Sequence, residues 1–505
     1  MSQETITLSG RELTTAQVAR IARQYARVEI SAQAEADISA TRKLILEMAK
    51  DRELPRIYGF NTGVGMNKDW DISEEGLGRF NRMLINSHSA AVGPEASEEE
   101  VRAMLAVRLN CFLTNHTGAS PELIHMYRDF LNLRLHPVMP TRGSIGESDL
   151  VVMAHIGLAV QGEGEVFLQG ERMSAAEALA KAGLKPVTLG CKDGLAIVNT
   201  SALFAGLGSL LAEDVMEFMD MCDLLYALSL EAFGGNTSPL DEACHLARPV
   251  RGPMETAARV RRYLEGSFIW QPGVTVTMQD PLCYRSACHV NGAVRDALDY
   301  VIPHLAGHIN SSDDNPCVVS EQRRILSCSN YDATSLALGF EMLGQALCHV
   351  SRNICYQLIK LDTPYFSRLP RFLSPDGTSV MAYTTNQKTY TALDAENRLL
   401  SNPVNVDWLS VSGDVEDHAT NAPLIVAKTS KMLDNLRYML GMQAYHAAQA
   451  IDLRNMAPLG RYTSEAYAAI RDVIPFVDQD RVVSIDIRRA YELVRSGRLC
   501  AIARR

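Results

Sequence analysis

The chain is organised around Pro140-Thr-Arg-Gly-Ser-Ile-Gly-Glu-Ser-Asp-Leu150. A peptide loop can form a covalent ring when a backbone amide nitrogen attacks the carbonyl carbon two residues back, and this requires a very tight approach of the two atoms. A glycine after a serine permits that approach because it has no Cβ. Here Ser148 is followed by Asp149, which carries a Cβ. The loop is therefore expected to remain an ordinary peptide.

The composition is that of a soluble globular protein. The chain has 505 residues, 47% hydrophobic and 21% charged, so it can bury a large core. The formal net charge of −10 argues against nucleic acid or an anionic membrane as the main partner. A local basic pocket for a small anion stays open.

The cysteine pattern indicates neither a metal site nor a disulfide framework. The 11 cysteines are scattered singly and form no CxxC motif, which is typical of buried thiols in a reducing compartment. The start, Met1-Ser-Gln-Glu-Thr5, has no basic segment followed by an apolar one. The apolar run 150–160 is too short to span a membrane. The expected location is the cytoplasm.

A glycine-rich segment reads Ile57-Tyr-Gly-Phe-Asn-Thr-Gly-Val-Gly65. Glycines at this density do not hold a stable helix, so we expect a loop. It is not a phosphate-binding loop, because no Lys-Ser/Thr follows and the spacing of a dinucleotide fold is absent.

Other short segments punctuate the chain in a fixed order. Together with the 57–65 loop and the 140–150 stretch, they resemble the aromatic amino acid lyase family, which includes histidine, phenylalanine and tyrosine ammonia-lyases. The resemblance extends over residues 10–455. The other segments that carry it are 86–93, 193–199, 279–285, 313–316, 329–332 and 415–418.

In that family the loop equivalent to 143–150 contains an Ala-Ser-Gly tripeptide that cyclises to an electrophilic methylidene imidazolone. Here the flanks match, but only Glu147 and Ser148 stand between them. The chain is therefore identified as a family member that cannot make the electrophile, and we expect no cofactor. Glu147 either faces the substrate as a counter-charge or fills space; the sequence leaves both open.

The resemblance implies a role for eight residues at one active site. Tyr58 corresponds to the base that removes the β-proton. Arg285 corresponds to the clamp for the substrate carboxylate, which a planar bidentate donor suits. Glu416 indicates an azole substrate, because a carboxylate accepts hydrogen bonds from ring N–H groups. Further substrate contacts are expected from His88, Asn199, Asn315, Tyr331 and Lys388.

Two positions depart from the family pattern. Leu282 falls on the second active-site tyrosine, unless Tyr284 replaces it from a shifted position. Lys388 stands where relatives carry tyrosine or valine, and a surface lysine is the alternative interpretation. If Lys388 faces the pocket, it suits a thiolate-like sulfur.

Long apolar segments predict an all-α protein, an ammonia-lyase-like bundle of long helices with a smaller mixed N-terminal part. The expected domains are an N-terminal catalytic-loop domain, 1–200, and a central and C-terminal helical bundle, 201–505. The run 333–359 is apolar on most of its surface and needs burial in a bundle or an oligomer. The family implies a homotetramer with shared active sites. The apolar segments are 200–234, 288–308, 332–362, 385–400 and 421–450.

Local signals predict the N-terminal elements. Apolar periodicity over 12–50 predicts two helices, the first capped by Thr14 or Thr15 and the second by Asp37. Residues 162–185 are expected to form a turn, a hairpin and a short helix.

The missing electrophile restricts the substrate. An ordinary amine is a poor leaving group until it is captured covalently, whereas a quaternary trimethylammonium leaves as a neutral amine. The azole, carboxylate and sulfur contacts together fit ergothioneine, the 2-thioimidazole betaine of histidine. The expected activity is a carbon–nitrogen lyase of the ergothionase type, which releases trimethylamine and thiourocanate.

Two alternatives remain open at this point. One is an aromatic amino acid ammonia-lyase or aminomutase whose electrophile forms from an unusual sequence. The other is a catalytically dead homologue that acts as a binding protein. Retention of Tyr58, Arg285 and Glu416 argues against the second.

Overall fold

The computed structural model describes residues 4–51, 53–377 and 379–505. Helices hold 59% of the residues, which confirms the all-α class. The strands of the described part are short and form four small sheets, with β1 and β2 parallel and the other pairs antiparallel. These strands are β1 (Thr5–Leu8), β2 (Arg27–Ile30), β3 (Val92–Glu95), β4 (Leu135–Pro137), β5 (Pro140–Arg142), β6 (Glu165–Leu168), β7 (Glu171–Ser174), β8 (Cys317–Val319) and β9 (Arg324–Leu326).

The helices fall into a group of shorter N-terminal ones and a group that contains the predicted long segments. The first group is α1 (Thr15–Arg23), α2 (Ala32–Ala49), α3 (Leu77–His88), α4 (Glu98–Phe112), α5 (Pro121–Leu133), α6 (Leu150–Val160), α7 (Ala175–Lys181) and α8 (Asp193–Val198). The second group is α9 (Ala202–Phe233), α10 (Glu242–Leu246), α11 (Arg251–Tyr263), α12 (Leu282–Arg285), α13 (Ala287–Ile309), α14 (Thr334–Leu361), α15 (Pro364–Ser367), α16 (Asn386–Leu400), α17 (Ala422–Arg454), α18 (Arg461–Arg471), α19 (Val483–Arg495) and α20 (Arg498–Ala503).

The chain packs into two compact units. The first consists of the chain up to Glu213 together with Val301–Leu338 and Pro403–Val426. The second consists of Asp214–Tyr300, Gly339–Asn402 and Ala427–Arg505. This division differs from a single boundary between residues 200 and 201, because two later segments pack with the N-terminal part.

The N-terminal helices begin at capping residues. Thr14 caps α1 as predicted: its hydroxyl accepts a hydrogen bond from the Gln17 amide at 3.2 Å, and the Gln17 side chain accepts one from the Thr14 amide at 2.9 Å. The expectation for Asp37 was wrong. Helix α2 begins earlier, at Ser31, because this serine follows directly on β2 and its hydroxyl accepts from the Ala34 amide at 3.2 Å.

The expected hairpin is present as β6 and β7, and α7 follows it with Ser174 as its cap.

Two fully buried ion pairs tie the later segment 301–338 into the first unit. Lys192 Nζ donates to Asp314 Oδ2 at 2.8 Å and to the Pro316 carbonyl at 2.9 Å. Arg108 donates to Asp313 Oδ1 at 2.6 Å. Each buried charge therefore has a partner, which its desolvation requires. The pairs fix the backbone on both sides of residue 315.

The segment Asp193–Phe233 is long and apolar enough to cross a membrane, but 94% of its most apolar window is buried inside the protein. Core helices of soluble proteins have the same property.

Helix α14 is not covered all round within one chain. Leu338, Met342 and Tyr356 are 51%, 41% and 44% exposed. Their spacing places them along one side of the helix, so a stripe of its apolar surface stays open.

We predict that Lys192→Ala destabilises the protein by about 3–5 kcal/mol, because it leaves the carboxylate of Asp314 buried without a cation. Chemical denaturation measures the change. The matched control is Lys181→Ala, which breaks an exposed pair with Glu177 and should leave the free energy of unfolding unchanged. Equal stability of Lys192→Ala and wild type would contradict the assigned role.

Candidate active site

The first unit contains a cavity of about 940 Å³. The loop after α2, the C-terminal end of α3, the 143–150 loop and the loops that flank β8 and β9 meet around it. Of the eight predicted site residues, six line this cavity: Tyr58, His88, Asn199, Asn315, Tyr331 and Glu416.

Tyr58 and Glu416 meet at Gly65. The Gly65 amide donates a 2.9 Å hydrogen bond to the Tyr58 hydroxyl oxygen. A Cβ placed on Gly65 would lie 3.3 Å from Glu416 Oε1, and the φ of Gly65 is +55°, which favours glycine. The glycine-rich loop thus brings the candidate base beside the carboxylate that the sequence assigned to ring recognition.

The pKa of Tyr58 is raised. Burial is the main cause, and the negative charges of Glu416 and Glu147 add to it, while the hydrogen bond from Gly65 opposes them. With protein groups alone around it, the tyrosine is therefore protonated at neutral pH. A positive charge bound nearby would favour its ionised form.

The 143–150 loop is held by its neighbours in space. Thr420 Oγ1 donates a hydrogen bond to the Gly146 carbonyl at 2.9 Å. A Cβ on Gly146 would lie about 2.4 Å from Thr420 Oγ1, so only glycine fits there. The Asn421 amide donates to the Ile145 carbonyl at 2.7 Å. Ser148 has a φ of +64°, unusual for a residue with a side chain. These contacts fix the backbone on the N-terminal side of residue 147.

On the other side of Glu147, the hydroxyl of Ser148 donates to Asn199 Oδ1 at 2.6 Å. The side-chain amide of Asn199 in turn donates to the Asn315 carbonyl at 2.6 Å. Asn199 therefore links the loop to the segment that the buried ion pairs hold. Its own polar atoms are used in this link.

Glu147 lines the cavity half-buried, and no described residue donates a hydrogen bond to its carboxylate or to that of Glu416. Burial, followed by the charges of Glu416 and Asp417, raises the pKa of Glu147 to about 7. The cavity thus holds two carboxylates without a partner in the described part of the chain.

Asn315 and Tyr331 line the cavity from the loops that flank β8 and β9. Asn315 Oδ1 accepts from the Cys328 amide at 2.9 Å, which orients its side chain. The Tyr331 carbonyl accepts from the Ser201 hydroxyl at 2.8 Å. Burial and the charge of Glu147 raise the pKa of Tyr331, so its ring lies within electrostatic reach of that carboxylate.

His88 presents a neutral imidazole. Its Nδ1 lies 2.8 Å from the Leu84 carbonyl, which can only accept, so Nδ1 carries the proton. Burial lowers the pKa of His88, although the charge of Glu416 opposes this. Nε2 then carries a lone pair that can accept a hydrogen bond.

The charges around the cavity favour a cationic ligand. Asp71 is paired with Arg56 at 2.8 Å, whereas Glu147 and Glu416 are unpaired. Lys68 is the one lining lysine among the described residues, and it is exposed. Aromatic rings, which attract cations, also line the cavity. They are Tyr58, Trp70, Phe80 and Tyr331.

Within residues 4–51, 53–377 and 379–505, no group of three His, Cys, Asp or Glu side chains is arranged to hold a metal ion.

Arg285 and Lys388 belong to the second unit. Arg285 ends α12; its Nε is shielded from solvent and bonds to no described residue. Lys388 is exposed in the first turn of α16. Tyr284 does not replace the tyrosine lost at Leu282, because its hydroxyl is buried against Ser229 Oγ at 3.0 Å.

Sequence patterns missed the residues that support the site. Thr420 contacts Gly146 across 274 residues of chain and belongs to no motif. Lys192 directly precedes the 193–199 segment, but its partner lies 122 residues away. A buried lysine next to a motif is the one signal that could have indicated it.

We predict that Glu147→Gln raises the melting temperature more at about pH 8 than at about pH 5. The raised pKa means that folded Glu147 keeps a proton which the unfolded chain has lost. Stability therefore falls as pH rises from the unfolded value of about 4.5 to the folded value of about 7, and glutamine removes this loss. Calorimetry at the two pH values measures the melting temperatures of the variant and the wild type. The exposed Glu53→Gln is the control, and a gain that is equal at both pH values would refute the assignment.

Comparisons with known proteins identify the family. The aromatic amino acid lyase pattern matches residues 13–472. The histidine ammonia-lyase of Myxococcus xanthus is 34% identical over 506 residues, which cover 100% of this chain and 99% of that protein. The histidine ammonia-lyase of Treponema denticola is 34% identical over 496 residues, 98% of this chain and 97% of that protein.

Two solved structures have the same fold along their whole length. Ergothionase from Treponema denticola, solved with desmethyl-ergothioneine sulfonic acid, superposes with a TM-score of 0.95 at 43% identity and covers 98% of this chain and 99% of its own. Histidine ammonia-lyase from Trypanosoma cruzi superposes with a TM-score of 0.91 at 28% identity. The match covers 99% of this chain and 95% of that one. The chain belongs to the aromatic amino acid lyase family.

Proposed function

We propose that this carbon–nitrogen lyase eliminates trimethylamine from ergothioneine to give thiourocanate, without an electrophilic cofactor. The observation that carries the proposal is the pinned 143–150 loop. It has Glu147 and Ser148 where the family's cyclising tripeptide stands, and it presents an unpaired carboxylate to the cavity. The similarity to an ergothionase at 43% identity supports it.

The leaving group decides the chemistry. A base removes the β-proton, the C–H electron pair becomes the new C=C bond, and the C–N pair departs with the nitrogen. A trimethylammonium nitrogen leaves as neutral trimethylamine, so it needs neither a proton nor covalent capture. A primary ammonium has N–H protons, and losing one of them to a base leaves a neutral amine that departs poorly.

Tyr58 is the proposed base. Its pKa is raised when protein groups alone surround it, so it needs an activating charge. The substrate supplies one, because its quaternary ammonium is cationic at every pH and favours the phenolate. The Gly65 amide, 2.9 Å from the hydroxyl oxygen, stabilises the same anion.

Ring recognition is assigned to Glu416 and His88. The Glu416 carboxylate accepts hydrogen bonds from imidazole N–H groups, and the lone pair on His88 Nε2 provides a second acceptor. Asn315 and Tyr331 supply further lining of the cavity, and Asn199 acts through Ser148 by fixing the 143–150 loop.

Arg285 and Lys388 complete the proposed site as contributions of other chains. We propose a cytoplasmic homotetramer in which Arg285 binds the carboxylate and Lys388 the sulfur. The open apolar stripe on α14 supports an oligomer. So does Leu399 on α16, which is 70% exposed.

Histidine ammonia-lyase is the second candidate function, because the sequence relatives at 34% identity carry that name. It would require a cyclised electrophile in the loop around Ser148.

Purified protein is expected to release trimethylamine from ergothioneine and no ammonia from histidine. Tyr58→Phe should lower kcat by about 10²–10⁴-fold with KM nearly unchanged, because general-base catalysis supplies that factor. An assay of released trimethylamine and the absorbance of the product give kcat and KM. Tyr365→Phe, a change at an exposed tyrosine outside the cavity, is the control. Ammonia release from histidine would establish the second candidate instead.

Co-expression of Tyr58→Phe chains with Arg285→Ala chains tests the shared site. Each variant alone should be inactive, whereas random mixing leaves about a quarter of the sites with both native residues. The specific activity of the mixed oligomer should recover to that share. No recovery in oligomers shown to contain both chains would mean that Arg285 does not complete the site of a neighbouring chain.

A further inference from the structure

We propose that Glu147 is the counter-charge that binds the cationic nitrogen of the substrate. This assignment rests on the proposed function for the identity of the cation, but not for the existence of a cation site. The sequence leaves two roles open for Glu147, a counter-charge or a space-filling side chain. The proposal makes it a residue that determines which ligands the cavity accepts.

The backbone is held on both sides of Glu147. Gly146 is clamped against Thr420, and the Ser148 hydroxyl is bound to Asn199 at 2.6 Å. With both neighbours fixed, the side chain of Glu147 has only its own rotamers to adjust. It lines the cavity wall, so a ligand meets it at a defined place.

Its carboxylate has no described partner. A half-buried carboxylate without a hydrogen-bond donor or a cation is destabilising for the folded protein. A neutral side chain of the same length would fill the same space without that cost. The retained charge is therefore explained by a ligand that neutralises it.

Glu147 and Glu416 are close enough for their charges to interact, but their nearest neighbours differ. Glu416 Oε1 lies beside Gly65, and its charge acts on His88. Among the charged groups that act on Tyr331, Glu147 has the largest effect. Glu416 thus faces the imidazole side, and Glu147 faces the side of the second aromatic ring.

The surroundings of Glu147 suit a quaternary ammonium. The rings of Tyr58 and Tyr331 both lie within electrostatic reach of the carboxylate. A trimethylammonium group has no N–H to donate, so it is held by charge and by aromatic faces rather than by hydrogen bonds. A carboxylate whose charge reaches two tyrosine rings provides both the charge and the aromatic faces.

Tetramethylammonium is the probe, because it carries the cation without the ring or the carboxylate. Calorimetric titration of the full oligomer should show that Glu147→Gln weakens its binding about ten-fold or more, while Glu147→Asp keeps most of it. The affinity for tert-butanol, a neutral molecule of similar shape, should stay the same. Glu416→Gln, the matched loss of charge beside Gly65, should change tetramethylammonium binding less.

The pH profile is a second readout. Tetramethylammonium binding to wild type should strengthen as pH rises through about 7, where Glu147 ionises, and Glu147→Gln should lose this step. The groups that face Glu147 are Glu416, Asp417, Tyr58 and Tyr331, and they remain unchanged in the variant.

The outcomes separate this inference from the proposed function. Glu147-dependent binding in a protein that releases no trimethylamine from ergothioneine supports the cation site and rejects the substrate. Trimethylamine release with equal tetramethylammonium affinity in wild type and Glu147→Gln keeps the function and overturns the role of Glu147. Absence of tetramethylammonium binding to wild type also overturns it.

Discussion

A carboxylate that is partly removed from water and lacks a partner is the constraint on which the rest of this structure depends. Glu147 is such a group, because its pKa is raised to about 7 and no described donor reaches it. The fold tolerates this cost only if something else offsets it. In the proposed function a permanently cationic substrate offsets the cost, and the same cation makes its nitrogen a leaving group and favours the ionised form of Tyr58.

The scaffold keeps that carboxylate in place through contacts between distant parts of the chain. Lys192 with Asp314 and Arg108 with Asp313 anchor the backbone around Asn315. Asn199 connects this anchored backbone to the 143–150 loop through its hydrogen bonds to the Asn315 carbonyl and to Ser148. The site is thus assembled from loops, but its loops are fixed by buried charges and by hydrogen bonds of 2.6 to 2.9 Å.

The sequence predicted the fold class and six residues of the cavity lining, because both depend on short-range patterns. Apolar periodicity identified α9, α13, α14, α16 and α17, and the loop motifs identified six residues that line one cavity. Glycine-rich and Asn-Pro segments are typical of loops and of close backbone approaches. Such loops can therefore be located from the sequence without knowledge of the packing.

What the sequence could not give depends on packing between distant segments. The clamp of Thr420 on Gly146 leaves no local trace, and neither does the return of residues 301–338 and 403–426 to the N-terminal part. Asp37 failed as a cap because Ser31, next to a strand end, offered an earlier start. Tyr284 failed as a substitute because its ring is fully buried.

The central claim is that a family fold works here on an uncyclised loop, and peptide mass tests it most directly. Trypsin releases a peptide that begins at Gly143 and ends at Arg172. The account predicts that its mass, and the mass of the intact chain, equal the values calculated from the sequence. A deficit of two water molecules that fragmentation assigns to residues 147–149 would contradict it.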